Sequence, residues 1–371
     1  MRPVAFYAPL KAPDHPVPSG DRAMARQMLR LIERAGGRPH LASRLNSFDR
    51  QGDPVRARAL EDEGRAEADR LIAAYRAAPP ALWFTYHVYY KAPDLVGPRV
   101  AGTLAIPYVV AEGSRSPRRA QGPWHVGHRQ TEAGLDTADL VLVLNPVDRV
   151  ALEQSRPAHQ RLADLPPFLD AADWPAQDVT RGEGPPLRLL TVAMMRPGDK
   201  LASYLRLADA VARAQLPDWR LDIVGDGPAR TEVAAAFAGF GGRVRFHGMV
   251  EDRAVLGRLY AEAGLLLWPA VNEAFGMVFL EAALHGCPAL AGAYGGVATV
   301  VQHGKTGWLV PRDDTAAFAA ALTRLADDAP LRRRLGAAAQ TFAGTERGMD
   351  AMAGRLAGLF DTLLADWKGR P

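Results

Sequence analysis

The sequence alternates short apolar runs with longer segments of helical periodicity along almost its whole length. Buried parallel strands are typically continuous runs of Val, Ile and Leu, whereas the helices that cover them repeat every 3.6 residues. The apolar runs fall at 4–8, 81–86, 106–111 and 139–144, and again at 187–193, 219–224, 243–247, 265–268 and 289–291. This alternation predicts an α/β protein in which each half is a Rossmann-like parallel sheet covered by helices.

A break in composition separates the two halves. Residues 166–174 and 180–186 are rich in Pro, Gly and acidic residues, which interrupt helices and strands. A chain of 371 residues also exceeds what one hydrophobic core ordinarily holds. The sequence therefore predicts two domains, at 1–172 and 187–345, joined by a linker at 173–186.

Composition narrows the class of protein. No apolar run approaches the ~18 residues that a membrane-spanning helix needs, and nothing at the amino terminus reads as a signal peptide. Cys287 is the one cysteine and cannot form an internal disulfide, so we expect a reducing, cytoplasmic location. The net charge of +4 fits an anionic ligand or the inner face of a membrane, and a solvated surface explains it equally well.

The strongest chemical signal follows the apolar run at 265–268. Glu273 lies in the loop after this run, Phe275 and Gly276 come where the next helix begins, and Glu281 lies within that helix. A carboxylate accepts hydrogen bonds from the vicinal hydroxyls of a ribose, and the free N–H groups of a helix N-terminus attract phosphate. The order predicts a ligand with hydroxyls at both ends and a diphosphate between them. Two solvated carboxylates are the alternative interpretation.

A second signal follows the run at 187–193. Arg196 and Lys200 are four residues apart in the turn that leads into the next helix. The planar fork of an arginine and the point charge of a lysine can together clamp one diphosphate. The pair alone is a weak signal, and it gains weight from the two glutamates that come later in the chain.

Together these patterns, Arg-x3-Lys followed by Glu-x7-Glu with Phe-Gly inside it, resemble the donor-site signature of retaining glycosyltransferases of the GT-B fold, in glycosyltransferase family 4 (glycosyl transferases group 1). Leu201 stands where this family usually has Gly. The resemblance covers nearly the whole second domain and extends to the first in layout alone. It implies two Rossmann-like domains that face each other across a cleft, with a terminal helix at 346–371 that packs back on the first. An amphipathic cap on the second domain is the alternative for this helix.

The resemblance assigns donor-binding roles to further positions. They are glycines and neighbouring residues of turns after strands, which would let the nucleotide or its phosphates come close: Gly20, Gly225, Gly227, His247, Gly248, Phe275, Gly276, Gly295 and Gly296, together with Glu281. Around Gly20 the usual Gly-Gly pair is missing, and a helix-capping turn is the alternative there. Thr299 stands where many relatives have Glu. The turn at Gly225 and Gly227 lacks the full dinucleotide fingerprint, so a dinucleotide cofactor is not expected.

Two features of the first half concern the acceptor. His87 follows an apolar run and is a candidate catalytic residue, beside Arg196, Lys200 and Glu273, through contact with the donor sugar or the acceptor. A structural role is the alternative, since a lone histidine often has one. From Arg115 to Arg129 the chain carries four arginines and two histidines and no acidic residue. This run would suit a phosphorylated acceptor or anionic lipid headgroups, and a mobile basic loop is an equal alternative.

The implied reaction moves a sugar from a nucleoside diphosphate sugar, with UDP or GDP as carrier, to an acceptor hydroxyl with retention of configuration. Arg196 and Lys200 would stabilise the leaving diphosphate, Glu273 would hold the sugar and Glu281 the ribose. The sequence has no Asp-x-Asp and no zinc spacing, so we expect a hexosyltransferase that needs neither metal nor cofactor and binds no nucleic acid. The acceptor is expected to be a carbohydrate or a lipid-linked molecule in cell-envelope polysaccharide or glycolipid synthesis.

Three other functions stay open at this stage. A sugar-nucleotide epimerase and a phosphorylase share the two-domain plan and are distinguished by free-sugar release or by dependence on phosphate. A non-enzymatic protein that binds nucleotide sugars is the third. The complete set of Arg196, Lys200, Glu273 and Glu281 favours an enzyme over a decayed one.

Overall fold

The computed structural model describes residues 1–17, 19–177, 184–367 and 369. Residues 178–183 of the predicted linker lie outside this description. The chain divides into two compact units: unit 1 is Met1–Pro166 with the C-terminal segment that begins at Met349, and unit 2 is Pro167–Gly348. The division therefore falls ahead of the boundary at 172 that the composition predicts.

Unit 1 is built on a six-stranded parallel sheet with the order β2-β1-β3-β4-β5-β6. Its strands are β1 (Arg2–Tyr7), β2 (Gly37–Leu41), β3 (Leu82–Val88), β4 (Tyr108–Gly113), β5 (Leu140–Val143) and β6 (Arg161–Asp164). Its helices are α1 (Gly20–Arg34), α2 (Pro54–Tyr75), α3 (Gly97–Leu104), α4 (His125–Asp136), α5 (Pro146–Gln154) and the terminal helix α12 (Met349–Asp366). The core lies where large side chains such as Tyr7, Trp83 and Tyr108 pack between sheet and helices.

The terminal helix α12 belongs to unit 1. Its buried face carries Phe360, whose ring meets Phe84 of β3 edge to face at 6.3 Å. Exposed ion pairs line its flanks, including Arg34 with Asp350 at 2.5 Å and Arg161 with Asp366 at 2.6 Å. Because such pairs contribute little each, burial of the apolar face is what holds the helix on the unit.

Unit 2 repeats the plan with a second six-stranded parallel sheet, in the order β12-β11-β10-β7-β8-β9. Its strands are β7 (Leu187–Val192), β8 (Trp219–Val224), β9 (Val244–Gly248), β10 (Leu265–Trp268), β11 (Ala289–Ala293) and β12 (Gly307–Pro311). Its helices are α6 (Asp199–Arg213), α7 (Arg230–Phe237), α8 (Arg253–Glu262), α9 (Met277–Leu284), α10 (Thr315–Asp327) and α11 (Ala329–Thr341). The two parallel sheets with covering helices confirm the predicted fold class.

Every predicted apolar run becomes a strand, whereas the sequence analysis missed three of the four outer strands, β2, β6 and β12. Edge strands of a parallel sheet face solvent on one side, so Gly37–Leu41 and Arg161–Asp164 mix polar and apolar residues and give no continuous run. Among the described residues, no helix has both the length and the apolar character needed to cross a membrane.

Candidate functional site

The centre of the unit 2 sheet is a topological switch point. From β7 the chain proceeds outward through β8 and β9, and it then returns to the other side of β7 to form β10, β11 and β12. In open α/β sheets ligands bind at the carboxyl ends of the two strands on either side of such a point. The loops after β7 and β10 and the helices α6 and α9 that follow them carry the four residues to which the sequence assigns chemistry: Arg196, Lys200, Glu273 and Glu281.

The loop after β10 is tied across this switch point to the start of α6. The backbone N–H of Val271 donates to the Ser203 hydroxyl at 3.0 Å, and the Asn272 amide donates to the Asp199 carboxylate at 2.6 Å. Asn272 holds a left-handed backbone with φ 51°, a strained conformation for a residue other than glycine. These contacts fix a short polar loop that would otherwise be mobile.

Lys200 and Glu273 meet at the same place. The Lys200 ammonium donates to Glu273 Oε2 at 2.5 Å, and the Trp268 indole N–H donates to the same oxygen at 3.1 Å. Lys200 also lies over the Trp268 ring, 5.4 Å from its centre. An ammonium has three N–H donors, so this contact leaves Lys200 with donors for a second anion, and it leaves the other oxygen of Glu273 to accept from a ligand.

Two backbone segments converge beside Glu273. Gly276 begins α9 in a left-handed conformation with φ 74°, and Gly295 has φ 51°. A Cβ on Gly295 would lie 2.3 Å from the carbonyl oxygen of Glu273, and Gly296 N–H donates to the Ala274 carbonyl at 2.6 Å. The glycines at 295 and 296 therefore let their loop lie directly on the loop of Glu273, which brings two of the predicted donor-binding segments together.

Glu281 is held from two sides. The Tyr260 hydroxyl donates to its Oε2 at 3.0 Å, and His285 Nδ1 lies 2.8 Å from its backbone carbonyl, so this nitrogen carries the proton. The rings of Tyr260 and His285 stack at 5.7 Å. Burial raises the pKa of Glu281, and the Tyr260 hydrogen bond and the charge of Arg253 partly offset it. The second oxygen of Glu281 is thus presented in a fixed direction.

The helices at the centre of this sheet begin without side-chain caps. Within the described part of the chain, no side chain caps α6 at Gly198, α7 at Ala229 or α9 at Gly276, although Asp252, Asp314 and Asp328 cap α8, α10 and α11. The first N–H groups of a helix need an acceptor, and an anion satisfies them well. The uncapped starts follow the central strands β7, β8 and β10, which makes the switch point the place where phosphate would be favoured.

The other predicted donor residues have local explanations. Arg196 is exposed in the loop between β7 and α6. A Cβ on Gly225 would lie 1.9 Å from the Ala193 carbonyl oxygen and one on Gly227 2.4 Å from that of Met195, so these glycines permit contact between two loops of the protein itself. The packing of the chain itself therefore requires glycine at both positions, and the contact of these turns with a nucleotide stays a prediction.

His247 and Gly248 form the end of β9. The His247 Nε2 contacts Asp222 of the neighbouring strand at 2.5 Å, and the Gly248 carbonyl accepts from the N–H of Gly225 at 2.8 Å. The His247 imidazole therefore contacts a carboxylate of the protein, and a ligand at this segment would meet backbone N–H and C=O groups.

Unit 1 has its own switch point, between β1 and β3. His87 near the end of β3 and Asp21 in the first turn of α1 lie on either side of it, and His87 Nδ1 contacts Asp21 Oδ1 at 3.0 Å. Ser19 caps α1 by accepting from Arg22 N–H at 3.2 Å. A Cβ on Gly20 would meet nothing within 4 Å, so no packing within the described chain requires glycine there.

Charge around His87 makes it a cation at neutral pH. Burial lowers the pKa of His87, but the charge of Glu112, the hydrogen bond to Asp21 and the charge of Asp148 outweigh burial and raise this pKa to about 9. Burial also raises the pKa of Glu112 and of Asp148. His87 therefore donates hydrogen bonds at pH 7 and does not serve as a general base there.

The basic run of unit 1 needs a correction. Arg115 has a buried side chain, 2% exposed, and forms ion pairs with Glu132 and with Asp136, the latter at 2.5 Å. Both acids lie about two to three turns along α4, which already begins at His125, so the run is neither one basic surface nor one mobile loop. Glu132 and Asp136 come after the run in sequence. They lie beside Arg115 because α4 packs back against the segment that contains it.

Comparison with known proteins shows which family the segment around the site resembles. Residues 186–328 match the family model for glycosyl transferases group 1, and this segment contains Arg196, Lys200, Glu273 and Glu281. Unit 2 thus matches this family over most of its length. Over 151 residues the chain is 36% identical to the D-inositol 3-phosphate glycosyltransferase of Streptomyces avermitilis, which covers 38% of this chain and 32% of the relative. The chain thus spans about a third of the length of that curated relative.

Solved structures extend the likeness to both units. Sucrose-phosphate synthase from Thermosynechococcus elongatus matches with a TM-score of 0.73 and 21% identity, over 98% of this chain and 100% of the other. HepE from Anabaena, solved in complex with UDP and glucose, matches with a TM-score of 0.70 and 16% identity over 98% of this chain and 100% of its own. Likeness at these identities shows the fold, which is GT-B, as the glycosyl transferases group 1 resemblance implies.

The sequence analysis missed the residues that support the site. Trp268, Ser203 and Asp199 fix the Glu273 loop, and Tyr260 orients Glu281. Each lies in a strand or helix of unremarkable pattern, so its role appears once the fold is known. Glu112 and Asp148 carried a usable signal, since each comes at or just after the end of a strand, where ligands bind. Among the described residues, no group of three or more His, Cys, Asp or Glu side chains could hold a metal ion.

Proposed function

We propose that this chain transfers a sugar from a nucleoside diphosphate sugar to an acceptor hydroxyl. The observation that carries the proposal is the contact between Lys200 and Glu273 across the switch point of unit 2, flanked by helices whose starts have no side-chain cap. This arrangement offers cations and N–H groups to a diphosphate and carboxylates to the hydroxyls on both sides of it. The family match to glycosyl transferases group 1 supports the same assignment.

The proposed division of labour follows the geometry. The free donors of Lys200, exposed Arg196 and the starts of α6 and α9 would stabilise the negative charge that develops on the departing diphosphate. Glu273 would accept from the hydroxyls of the sugar, and the second oxygen of Glu281 would accept from the ribose. Uridine is our first choice of base because HepE was solved with UDP, and guanosine is the second.

Retention is part of the proposal and rests on the chemistry of the residues. Glu273 is held by Lys200 and Trp268, which suits a hydrogen-bond acceptor better than a nucleophile. His87, cationic at neutral pH, does not take the proton of the acceptor. We therefore assign that proton to the departing phosphate. The acceptor oxygen forms its bond to the anomeric carbon on the face from which the phosphate leaves, the glycosyl–phosphate bond breaks, and the phosphate takes the acceptor proton, so the configuration is kept. No step requires a metal ion or a cofactor.

The biological setting is proposed on family grounds. We place the reaction in cell-envelope polysaccharide or glycolipid synthesis, on the cytoplasmic side of the membrane. Arg115 is buried and cannot contact a membrane surface. The other arginines of the basic run, Arg118, Arg119 and Arg129, are exposed and remain candidates for that contact.

The test is transfer from UDP-, GDP- and ADP-glucose to a panel of saccharides in the presence of EDTA, with the anomeric configuration of the product read by proton NMR. Wild type should use one donor and give a product with the anomeric configuration of that donor. Glu273→Gln should abolish transfer, whereas Glu346→Gln, a change at an exposed carboxylate of unit 2, should not. An inverted product contradicts the mechanism. Free-sugar release or phosphate dependence indicates an epimerase or a phosphorylase, and nucleotide-sugar binding without any turnover indicates a binding protein.

A further inference from the structure

At the switch point of unit 1, His87 of β3 and Glu112 of β4 lie at neighbouring register positions and share the same irregular backbone conformation. The registers Tyr86 with Ala111 and Val88 with Gly113 bracket the pair His87 and Glu112. His87 has φ 64° and Glu112 has φ 60°, a left-handed backbone that residues other than glycine rarely adopt. Two such residues side by side turn their side chains out of the regular alternation of the sheet, and strained residues of this kind concentrate at functional sites.

Glu112 carries an unused hydrogen-bonding group. Its Oε2 is buried and has no hydrogen-bond partner among the described residues. A hydrogen bond from Tyr86 to the Glu112 carboxyl group lowers the pKa of Glu112 but leaves this oxygen unpaired. Buried polar atoms are nearly always paired, so an orphaned carboxylate oxygen needs an explanation. The histidine that faces it is already committed to Asp21 through Nδ1. A ligand that donates a hydrogen bond would complete Glu112.

The charge around this point is opposite to that of unit 2. Asp21 of α1, Glu112 of β4 and Asp148 of α5 all act electrostatically on His87. Lys11 acts on Asp21 from the loop after β1. The helices that begin here are also capped by side chains, α1 by Ser19 and α5 by Asn145. At this point three carboxylates face His87 and Lys11, and with capped helix starts they disfavour a phosphate group and accept from hydroxyl donors. Two further cations, Lys91 and Arg119, lie farther along, over the rings of Tyr90 and Trp124.

An aromatic surface continues from this point. The ring of Tyr89 stacks on His87 at 5.0 Å, Tyr90 meets Tyr89 at 5.4 Å, and Trp124 meets Tyr90 at 5.8 Å. Tyr89, Tyr90 and Trp124 are each partly exposed. Aromatic faces with polar groups at one end suit sugar or cyclitol rings, which are apolar on their C–H faces and polar at their rims.

We propose that Glu112 selects the acceptor, and that the acceptor is an uncharged polyol, a saccharide or a cyclitol, without a phosphate on the ring that Tyr89 and Glu112 receive. This inference rests on the proposed function and names the acceptor class of that reaction. Glu112 accepts a hydrogen bond from a ring hydroxyl, Tyr89 covers one face of the ring, and the carboxylates repel a phosphate ester. The chain then differs in acceptor from the Streptomyces relative, whose name gives inositol 3-phosphate.

The experiment compares binding of neutral polyols and their phosphate esters by saturation-transfer NMR, with UDP binding measured calorimetrically on the same samples. The probes are myo-inositol, glucose and maltose, against inositol 3-phosphate and glucose 6-phosphate. Wild type should bind at least one neutral polyol and bind its phosphate ester at least tenfold more weakly. Glu112→Gln should weaken the polyol about tenfold and narrow the difference from the ester, and Tyr89→Ala should weaken both alike.

The controls separate the two proposals. Glu153→Gln changes an exposed carboxylate of the same unit and should leave binding of polyol and UDP unaltered. If wild type does not bind UDP, the proposed donor site is contradicted, and the role of Glu112 is still decided by the polyol measurements. Tighter binding of the phosphate esters, no binding of any neutral polyol, or a folded Glu112→Gln variant that binds like wild type would each overturn the role of Glu112.

Discussion

The most quantitative consequence of the structure concerns the ionisation of His87. Its pKa is raised from the ordinary value of 6.5 to about 9, which means that the folded protein holds this proton more tightly than the unfolded chain does. At 1.36 kcal/mol per pKa unit, the difference corresponds to about 3 kcal/mol of stability for unit 1. This contribution is complete below about pH 6.5, declines as pH rises, and is lost above about pH 9.

The substitution His87→Gln removes the titrating group. The stability advantage of wild type over the variant should therefore be about 3 kcal/mol larger at pH 6 than at pH 9.5, with most of the change between these values. Asp21, Glu112 and Asp148 are present in both proteins. Their titration therefore affects the difference in stability between wild type and variant only through their interaction with His87.

The assay must observe unit 1 separately, because a two-domain chain does not unfold in one step. Hydrogen exchange in urea, followed by mass spectrometry on a peptide that covers β3, does so at matched pH. His159→Gln, at an exposed histidine of the same unit, is the control and should show no such trend. An advantage over His87→Gln that stays constant from pH 6 to pH 9.5, or grows with pH, would refute the electrostatic account of this cluster.

Further predictions concern the donor site and its packing. Lys200→Ala should weaken UDP binding about tenfold or more in calorimetry, because it removes a charged donor to the diphosphate, and Lys200→Arg should recover part of the loss. Gly295→Ala should lower the free energy of unfolding of unit 2 by about 1–3 kcal/mol in urea titration, since its Cβ would lie 2.3 Å from the Glu273 carbonyl oxygen at a positive φ. Gly239→Ala, where a Cβ meets nothing within 4 Å, should leave stability nearly unchanged, and equal effects at both glycines would contradict this reasoning.

Sequence patterns predict the central parts of both sheets well, for a physical reason. Strands such as Leu140–Val143 and Leu265–Trp268 are buried on both faces, so their sequences are continuous apolar runs that little else produces. Edge strands such as Gly307–Pro311 have no such signature, because their pairing on one side alone depends on the rest of the sheet.

The donor site is predictable because its residues are local in sequence. Glu273, Gly276 and Glu281 come from a single strand-loop-helix unit, so spacing alone places them near one another. The contact of Glu273 with Lys200 joins residues that are 73 positions apart. Sequence patterns identify each of the two residues but do not predict that they contact each other. Likewise the orphaned oxygen of Glu112 and its strained neighbour His87 are properties of strand register, which no single-sequence pattern specifies.

Arg115 shows the opposite failure. Its sequence neighbours are basic, which suggests a surface for anions, yet its side chain is buried against Glu132 and Asp136. A run of basic residues predicts a basic surface only when its members share one exposed face. Here α4 brings acidic side chains back against the run, so its members do not share such a face.

The central claim is that unit 2 binds a nucleoside diphosphate through Glu281 and the N-termini beside it. Calorimetric titration of UDP, and then GDP and ADP, into wild type and Glu281→Gln without added metal tests it most directly, with Glu346→Gln as control. One nucleotide should bind wild type and the control equally, and Glu281→Gln should bind it at least about tenfold more weakly, because charge-assisted hydrogen bonds to the ribose are lost. Absence of binding by all three nucleotides, or equal affinity in Glu281→Gln, would contradict the account.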